Sequence, residues 1–332
     1  MTLKQKFRTS MKKVNGDLLT PISIFLRLQG KRKFLLESST KNEGNGRYSF
    51  IGVDPRKTYS GNDTHLQDFS HLTNKHYHYE GELISLLKQV MPRVTSQTEY
   101  PLTGGGIGYI HALPATLQST VPTLQFHVYD TLIIFDHLTD EIAVFHTNIE
   151  AEQVEPNIDQ LIDELFTDST LGDTYYTLHS LQQESQKLAT AQFSGDVFAL
   201  YRNLRVQEAA AYMYYIEFDE CTVIGTSPKS FLQIRDGVLS TTNEEANLDT
   251  LCQTNSIKKQ NALQTGLLSP AFHAIDAVKQ LIPQDGLIGY IGFNGQVDFT
   301  TPVKTLTIID DKAYIQTTND ASDLTFHALM KG

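Results

Sequence analysis

Alternation of apolar and polar residues predicts strands over much of the chain, with a few segments of helical spacing between them. Residues 20–60 contain three strand-like runs, SIFLRL, RKFLLESS and RYSFIGV, which are separated by turns. Strands return in GGGIGYIHAL and in YDTLIIFDHLTDEIAVF, whose hinge lies at residues 136–141. A helix is predicted over residues 81–91, because apolar residues recur there every three or four positions before Pro92. The first half of the chain is therefore rich in sheet.

Helices and hairpins both occur in the second half. Helices are predicted in NIDQLIDELF, with Asn157 as its cap, in DVFALYRNLRVQEAA, and in SPAFHAIDAVKQLIP, with Ser269 as its cap. Hairpins are predicted in AYMYYIEFDECTVIGT, with a turn near Asp219, and in FLQIRDGVLS, with a turn at Asp236 and Gly237. The strands GLIGYIGFNG, KTLTIID and AYIQTT close the chain. Strands mixed with segregated helices favour an α+β fold over a doubly wound sheet.

A polar segment divides the chain. The stretch TDSTLGDTYYTLHSLQQESQK is the most linker-like part of the sequence. We therefore predict a sheet-rich domain over residues 1–166, a linker over 167–190 and a second domain over 191–332. Residues 241–264 form a second polar patch, which shows almost no periodicity.

Composition narrows the class of protein. The chain has 332 residues, 40% hydrophobic and 20% charged, as in globular proteins. A net charge of −11 argues against nucleic acid as a partner, because binding to a phosphate backbone needs clustered Lys and Arg. The two cysteines, Cys221 and Cys252, are too few for a disulfide framework and suit a cytoplasmic protein, although a single disulfide stays open. No apolar run approaches 18 residues, so neither a membrane span nor a membrane partner is expected.

Two local motifs offer chemical hypotheses that are weaker than their structural interpretations. His76, His78 and Glu80 share one face of an extended strand as candidate metal ligands, but an exposed strand edge is favoured. Ser227 and Lys229 in GTSPK lack a positioned base, so this segment is predicted to be a turn.

Two further motifs are also better explained structurally. The glycines of TGGGIGYI lack the Lys of a phosphate loop and predict close approach of another backbone. Arg202 and Arg205 are spaced i and i+3 on a predicted helix, which indicates a solvated basic face.

Ordered blocks along the chain resemble anthranilate synthase component I, a family of chorismate-utilising enzymes. TPISIFLRL, KFLLESS and GRYSFIGVDP match its amino-terminal region, and GGGIGYI, residues 200–239, GYIGFNGQVD and KTLTIIDDKAYIQ follow in the family's order. The resemblance implies a two-domain α+β architecture, with antiparallel sheets and helices packed outside, whose carboxy-terminal part is truncated here. It also implies a lyase of tryptophan biosynthesis that uses Mg²⁺ to convert chorismate and ammonia to anthranilate and pyruvate. Ammonia in this family comes from a glutamine amidotransferase subunit.

The same resemblance implies a feedback site for tryptophan. LLES contributes Leu36, Glu37 and Ser38 to this site, and the last two offer acceptors for an ammonium group. GRYSFIG is the return strand that holds them in place. The opposite wall keeps Tyr212 and Met213, but QEAAAYM lacks the prolines of the family's Asn-Pro-Ser-Pro-Tyr-Met.

Most catalytic motifs of the family are missing. Residues 241–264 replace the Ala-Gly-Thr-Arg-x-Arg-Gly segment and the acidic, Arg and His motifs that follow it. Pro283 runs directly into QDGLIGYIGF, and Gln284 stands at the position of a family Tyr. The closing Glu-x-Glu-Glu is absent and TTND, residues 317–320, replaces Ala-Gly-Ala-Gly, so the family's Mg²⁺ ligands are not found. Lys304 replaces an Arg and is the one candidate for a residual contact with a substrate carboxylate.

Three hypotheses follow from these losses. The chain is a divergent enzyme with unrecognised substitutes, a non-catalytic relative that binds tryptophan or a glutamine amidotransferase, or an inactive truncated product. Each missing catalytic group typically costs about 10² or more in rate, and groups that act together cost more. The losses therefore favour a catalytically impaired protein.

Overall fold

The computed structural model of this chain describes residues 8–37, 46–94, 98–150, 156–167, 175–253 and 255–317. Within these ranges there are five α-helices, and none is long and apolar enough to cross a bilayer. The helices are α1 (Pro21–Arg27), α2 (Leu83–Val90), α3 (Ile158–Phe166), α4 (Val197–Gln207) and α5 (Ala274–Leu281).

The described residues also form 22 strands. In chain order they are β1 (Arg8–Asn15), β2 (Phe34–Glu37), β3 (Tyr48–Gly52), β4 (Lys57–Asn62), β5 (His65–Ser70), β6 (Lys75–Glu80), β7 (Gly105–Ile110), β8 (Leu124–Tyr129), β9 (Thr131–Asp136), β10 (Glu141–Asn148), β11 (Tyr176–Ser185), β12 (Leu188–Gly195), β13 (Tyr212–Glu217), β14 (Thr222–Ser227), β15 (Leu232–Arg235), β16 (Val238–Thr241), β17 (Lys258–Gln260), β18 (Leu263–Leu267), β19 (Leu287–Gly292), β20 (Val297–Thr300), β21 (Lys304–Ile309) and β22 (Lys312–Thr317).

These strands make two sheets of 11 strands each, and every pairing is antiparallel. Sheet A has the order β1-β10-β9-β3-β2-β13-β14-β21-β22-β12-β11, and sheet B has the order β17-β18-β16-β15-β20-β19-β7-β8-β4-β5-β6. Each sheet combines strands from before and after residues 167–190. The division of the chain into two domains stays a prediction.

Three buried clusters divide the molecule into layers. One cluster lies between the sheets and includes Phe34 and Ile216 of sheet A with Ile288 of sheet B. The second lies between sheet A and helices α1, α3 and α4, and the third lies between sheet B and helices α2 and α5. The predicted α+β class, with antiparallel sheets and helices packed outside, is thereby confirmed.

Two predictions were wrong at segments that form helices. SIFLRL, predicted as a strand, belongs to α1, which begins with a capping box between Thr20 and Ser23 and has Pro21 in its first turn. The capping box offsets the cost of starting this short helix, and its apolar residues bury one face against sheet A. Helix α5 begins at Ala274, because the side chain of His273, rather than that of Ser269, accepts a hydrogen bond from the first turn.

Two segments predicted to be irregular contain strands. The predicted linker over residues 167–190 includes β11 and the start of β12, which pair with each other at the edge of sheet A. The polar patch over residues 241–264 contains β17 and the start of β18, which extend sheet B. Both segments lie at sheet edges, where one face and one side of a strand meet water, so apolar periodicity is weak.

The repeated GlyTyrIle motif places two glycine-rich strands side by side. Strands β7 and β19 are neighbours, and Gly108 lies opposite Gly289. A Cβ atom at Gly108 would approach the carbonyl oxygen of Gln125 to 1.9 Å. The prediction that these glycines allow close backbone approach is confirmed.

A buried polar cluster links β4 to β8. The hydroxyl of Thr58 lies 2.8 Å from His71 Nε2 and 2.8 Å from His127 Nδ1. One hydroxyl donates only one hydrogen, so it donates to one ring and accepts from the other. Burial is the main cause that lowers the pKa of His127 to about 3 and that of His71 to about 4.

We predict that His127 makes the protein less stable in acid. Below the ordinary histidine pKa of 6.5 the unfolded chain binds a proton that the folded chain resists until about pH 3, so the free energy of unfolding falls as the pH falls from about 6.5 to 4. His127→Gln should reduce this slope, measured by urea unfolding at several pH values. The raised pKa values of Asp68 and Asp298 make the free energy of unfolding change with pH in the opposite sense. The test is therefore the difference in slope between wild type and His127→Gln. Equal slopes would contradict the prediction.

Candidate functional site

A cavity of about 280 Å³ lies between the sheets, where β2, β3 and β13 face β15, β19 and β20. Four of the five predicted effector residues line it, namely Leu36, Glu37, Tyr212 and Met213. Ser38 lies outside the described residues. Strand pairing brings the two predicted walls together, because Glu37 is directly opposite Met213 in sheet A.

The return strand has the predicted position. Strand β3 pairs with β2, with Phe50 opposite Leu36, and both Tyr48 and Phe50 line the cavity. Arg47, just before this strand, pairs with buried Asp136, at 2.7 Å from Nη2 to Oδ2. The Arg47 guanidinium and a backbone hydrogen bond outweigh burial and lower the pKa of Asp136. This pair anchors the beginning of β3 to sheet A.

Glu37 is buried with one of its two carboxylate oxygens unpaired. Oε2 accepts hydrogen bonds from the hydroxyl of Tyr201, at 2.7 Å, and from Arg205 Nε, at 2.8 Å. Oε1 is buried and has no hydrogen-bond partner among the described residues. Both donors belong to α4, so the carboxylate lies on the helix side of sheet A, as do Leu35 and Met213, while Glu37 still borders the cavity.

The spacing of Arg202 and Arg205 predicted a solvated basic face, and for Arg205 this prediction was wrong. Its guanidinium reaches past the edge of α4 to Glu37, whose side chain is 4% exposed. The sequence motif YRNLR contains both donors, Tyr201 and Arg205, one helical turn apart. The sequence motif could not reveal the partner of these donors, because the carboxylate of Glu37 comes from a strand far away in the chain.

The wall from sheet B centres on buried Asp298. Its carboxylate accepts hydrogen bonds from Ser230 Oγ at 2.7 Å, Gln233 Nε2 at 2.8 Å and the hydroxyl of Tyr212 at 3.3 Å. Burial raises the pKa of Asp298, and the three hydrogen bonds partly oppose that shift. This carboxyl group is thus satisfied within the protein.

Arg235 and Tyr290 complete this wall, and sequence reasoning missed both. Tyr290 is buried on β19, whereas Arg235 is exposed at the end of β15. Tyr290 belongs to the repeated GlyTyrIle motif, and Arg235 directly precedes the predicted turn at Asp236. Neither signal indicates a cavity, because both residues reach it through the packing of one sheet on the other.

The predicted catalytic candidates do not converge. Lys304 does not line the cavity. Its ammonium group is instead paired with the carboxylate of Glu208, at 2.9 Å. Of TTND, only Thr317 is described, at the end of β22. Across the described ranges no three His, Cys, Asp or Glu side chains come together. These residues therefore do not fit the Mg²⁺ site that the family implies.

The remaining motifs have structural surroundings. His76, His78 and Glu80 are exposed on β6, at the edge of sheet B. Ser227 ends β14, and its hydroxyl lies 3.3 Å from the carbonyl oxygen of Lys229 in the turn that follows. The interpretations as a strand edge and a turn are confirmed.

Comparison with known proteins identifies relatives of this chain. Residues 172–243 match the family model described as chorismate binding enzyme. Anthranilate synthase component 1 of Lactococcus lactis subsp. lactis (strain IL1403) is 23% identical, over 92% of this chain and 93% of that protein. The protein of that name from Bacillus subtilis (strain 168) is 26% identical, over 67% of this chain and 55% of its own length.

Solved structures show the same fold. Anthranilate synthase component I from Streptococcus pneumoniae TIGR4 superposes with a TM-score of 0.61 and 18% identity, over 96% of each chain. The menaquinone-specific isochorismate synthase from Escherichia coli superposes with a TM-score of 0.56 and 13% identity, over 93% of this chain and 87% of that one. The predicted resemblance is confirmed by these likenesses. The alignment with the Lactococcus protein runs over 428 residues, so at least 96 of its positions have no counterpart in these 332 residues.

We predict that Arg205→Gln lowers the free energy of unfolding by about 1.5 kcal/mol, the lower end of the range for hydrogen bonds to charged groups, because Arg205 is 42% exposed. Glu37→Gln in the Arg205→Gln background should recover part of this loss, since it removes the buried charge. A double-mutant cycle in urea gives the coupling between the two residues. Additive effects would show that the ion pair does not stabilise the site.

Proposed function

We propose that this chain, which is similar to anthranilate synthase component I and to the chorismate-binding family, is a catalytically impaired relative that binds a free aromatic amino acid. Tryptophan is the expected ligand, and the cavity between the sheets is the expected site. One observation carries the proposal: four of the effector residues that the resemblance implies, Leu36, Glu37, Tyr212 and Met213, line a cavity that is also lined by aromatic rings.

The aromatic lining suits an aromatic side chain. Tyr48, Phe50, Tyr212 and Tyr290 line the cavity from both sheets, and the rings of Phe50 and Tyr290 are 6.0 Å apart in an edge-to-face arrangement. Aromatic pairs in such geometry gain about 0.5–1.5 kcal/mol beyond their buried area. A volume of about 280 Å³ corresponds to one small molecule, near the lower end of ligand-site volumes.

Charge also argues for an amino acid rather than chorismate in this cavity. The lining carries the carboxyl groups of Glu99, Asp236 and Asp298 and the guanidinium groups of Arg47 and Arg235. Groups of both signs suit a zwitterion, whereas chorismate brings two negative charges. Elsewhere, Lys304 is paired with Glu208, and the described residues offer no Mg²⁺ site to offset a second negative charge. These features support impaired catalysis.

The alternatives have less support. An inactive truncated product is expected to leave apolar faces uncovered, whereas here helices cover both sheets on their outer faces. A glutamine amidotransferase partner is implied by the resemblance alone, since no described surface indicates where it would bind. Cytoplasmic localisation stays part of this proposal, and the two cysteines are both free and buried.

We predict that wild-type protein binds L-tryptophan with measurable heat in isothermal titration calorimetry. Tyr48→Ala should weaken binding about ten-fold or more, because it removes an aromatic ring that lines the cavity. Glu99→Gln is a control within the same cavity, since Glu99 lines it but is exposed and faces Lys13. Absence of binding to a cooperatively folded wild-type protein, or equal affinity of the Tyr48 variant, would refute the proposed site.

We also predict that purified protein with chorismate, Mg²⁺ and an ammonium salt produces no anthranilate fluorescence. The reason is the loss of the family's catalytic motifs together with the pairing of Lys304. An active anthranilate synthase component I in the same assay is the positive control. Turnover above the no-protein background would show that catalysis is retained.

A further inference from the structure

Strand β6 lacks the features that protect the other three edges of the described sheets. These sheets end in β1 and β11, and in β17 and β6. Proteins commonly protect an edge strand from further pairing with lysines, bulges or a very short length. β1 carries Arg8, Lys12 and Lys13, β11 has two register shifts, and β17 has three residues of which two are lysines. β6 instead runs for six residues, pairs with β5 without a register shift, and has its one lysine at its first position.

The outer side of β6 presents backbone groups that have no partner among the described residues. The N–H of Gly81, just after β6, donates to the carbonyl oxygen of Thr64 at 2.9 Å, so these two residues form a hydrogen-bonded pair. Bonded and non-bonded pairs alternate along an antiparallel ladder. His76, His78 and Glu80 therefore belong to non-bonded pairs and direct their N–H and C=O groups away from β5. Such groups form a template for another antiparallel strand.

A second copy of β6 complements the first in antiparallel orientation. When His78 of each copy lies on a two-fold axis, the outward backbone groups of one strand meet those of the other. In this register His76 of each copy lies opposite the partner's Glu80, and Tyr77 lies opposite the partner's Tyr79. Directly facing pairs of this kind, with complementary charge or with two aromatic rings, stabilise a sheet, and no two carboxylates or lysines face each other.

The side chains of His76 and Glu80 are suited to this contact. The amide Nε2 of Gln67 lies 2.6 Å from His76 Nδ1. Because an amide nitrogen only donates, Nδ1 accepts, and the neutral ring carries its hydrogen on the free Nε2. The ring also stacks on Phe69, with centroids 4.4 Å apart, which holds its orientation. Glu80 is 86% exposed, and its one ion pair among the described residues is a contact of 4.0 Å with His65.

We propose that this protein forms a two-fold symmetric homodimer, in which the β6 strands of two copies pair antiparallel and join their sheets B into one continuous sheet. The same surface then serves both copies. A ladder over residues 76–80 is a small contact, so the dimer is reversible and depends on concentration. The inference is independent of amino-acid binding, because β6 is the edge of sheet B farther from the strands that line the cavity.

Sedimentation velocity over a range of concentrations tests the dimer with wild type, His78→Pro and Met11→Pro. The N–H of His78 points away from β5, so proline there removes an intermolecular donor and leaves the pairing with β5 in place. Met11 likewise directs its N–H away from β10, because Gly16 donates to Asp140 at 2.7 Å and the pairs alternate from there. Met11→Pro is therefore the matched control on a protected edge. Thermal unfolding of each variant checks that it is folded.

We expect the average mass of wild type to rise with concentration from that of one chain towards that of two. His78→Pro should weaken self-association about ten-fold or more, because the symmetric dimer loses the donor twice. Met11→Pro should leave self-association within about two-fold of wild type, because β1 takes no part in the contact.

Two charge variants test the register, and they decide the question even if His78→Pro does not fold. His76→Glu sets two carboxylates opposite each other, and Glu80→Lys removes the acceptor, so each variant alone should weaken self-association about ten-fold. An equimolar mixture of the two should associate nearly as tightly as wild type. In the mixed dimer the new carboxylate faces the new ammonium group, and the other pair is the unchanged His76 and Glu80.

Three outcomes would overturn the proposal. The first is a wild type that stays monomeric at every concentration. The second is a dimer that His78→Pro leaves intact or that Met11→Pro weakens equally, because the contact would then not depend on the outer side of β6. The third is a mixture of the charge variants that associates no better than either variant alone, because the strands would then not pair in this register.

Discussion

The antiparallel pairing of β2 with β13, in the middle of sheet A, is the contact on which the candidate site depends. It places Glu37 opposite Met213 and Leu36 opposite Tyr214. Because β2 comes early in the chain and β13 late, this ladder joins the two parts of the sequence that the tryptophan-site resemblance implicated. It also brings Glu37 within reach of Arg205 on α4, the helix that leads into β13. Without this register, the carboxylate would not meet its hydrogen-bond donors on α4.

Apolar burial holds the layers of the described structure together. Buried apolar side chains fill the space between the sheets and beneath the helices on each outer face. Helix α5 is tied to α2 by Lys88 and Asp276, at 2.6 Å, so the two helices cover sheet B together. Where the family has its catalytic segment, strands β17 and β18 extend sheet B. The frame is therefore maintained by burial and strand pairing, which do not require the catalytic residues.

Catalysis and ligand binding make different demands on this frame. Catalysis on a dianionic substrate needs cations, a metal and proton-transfer groups at one place. Binding of a small amino acid needs a cavity of suitable size and lining. The described residues form a cavity between the sheets, whereas Lys304 is engaged by Glu208 outside it. The two demands therefore fall on different parts of the fold.

The amino-acid sequence by itself determined the α+β class, helices α2, α3 and α4, the hairpins at Asp219 and Asp236, and the family resemblance. Local periodicity and turn residues carry this information, since they report which face of a segment is apolar and where the chain reverses. Only the tertiary structure decided that Arg205 pairs with Glu37, that Arg235 lines the cavity between the sheets, and that the polar stretches over residues 167–190 and 241–264 contain edge strands. Those outcomes depend on the register of strands distant in sequence and on the packing of one sheet against the other, which local patterns do not encode.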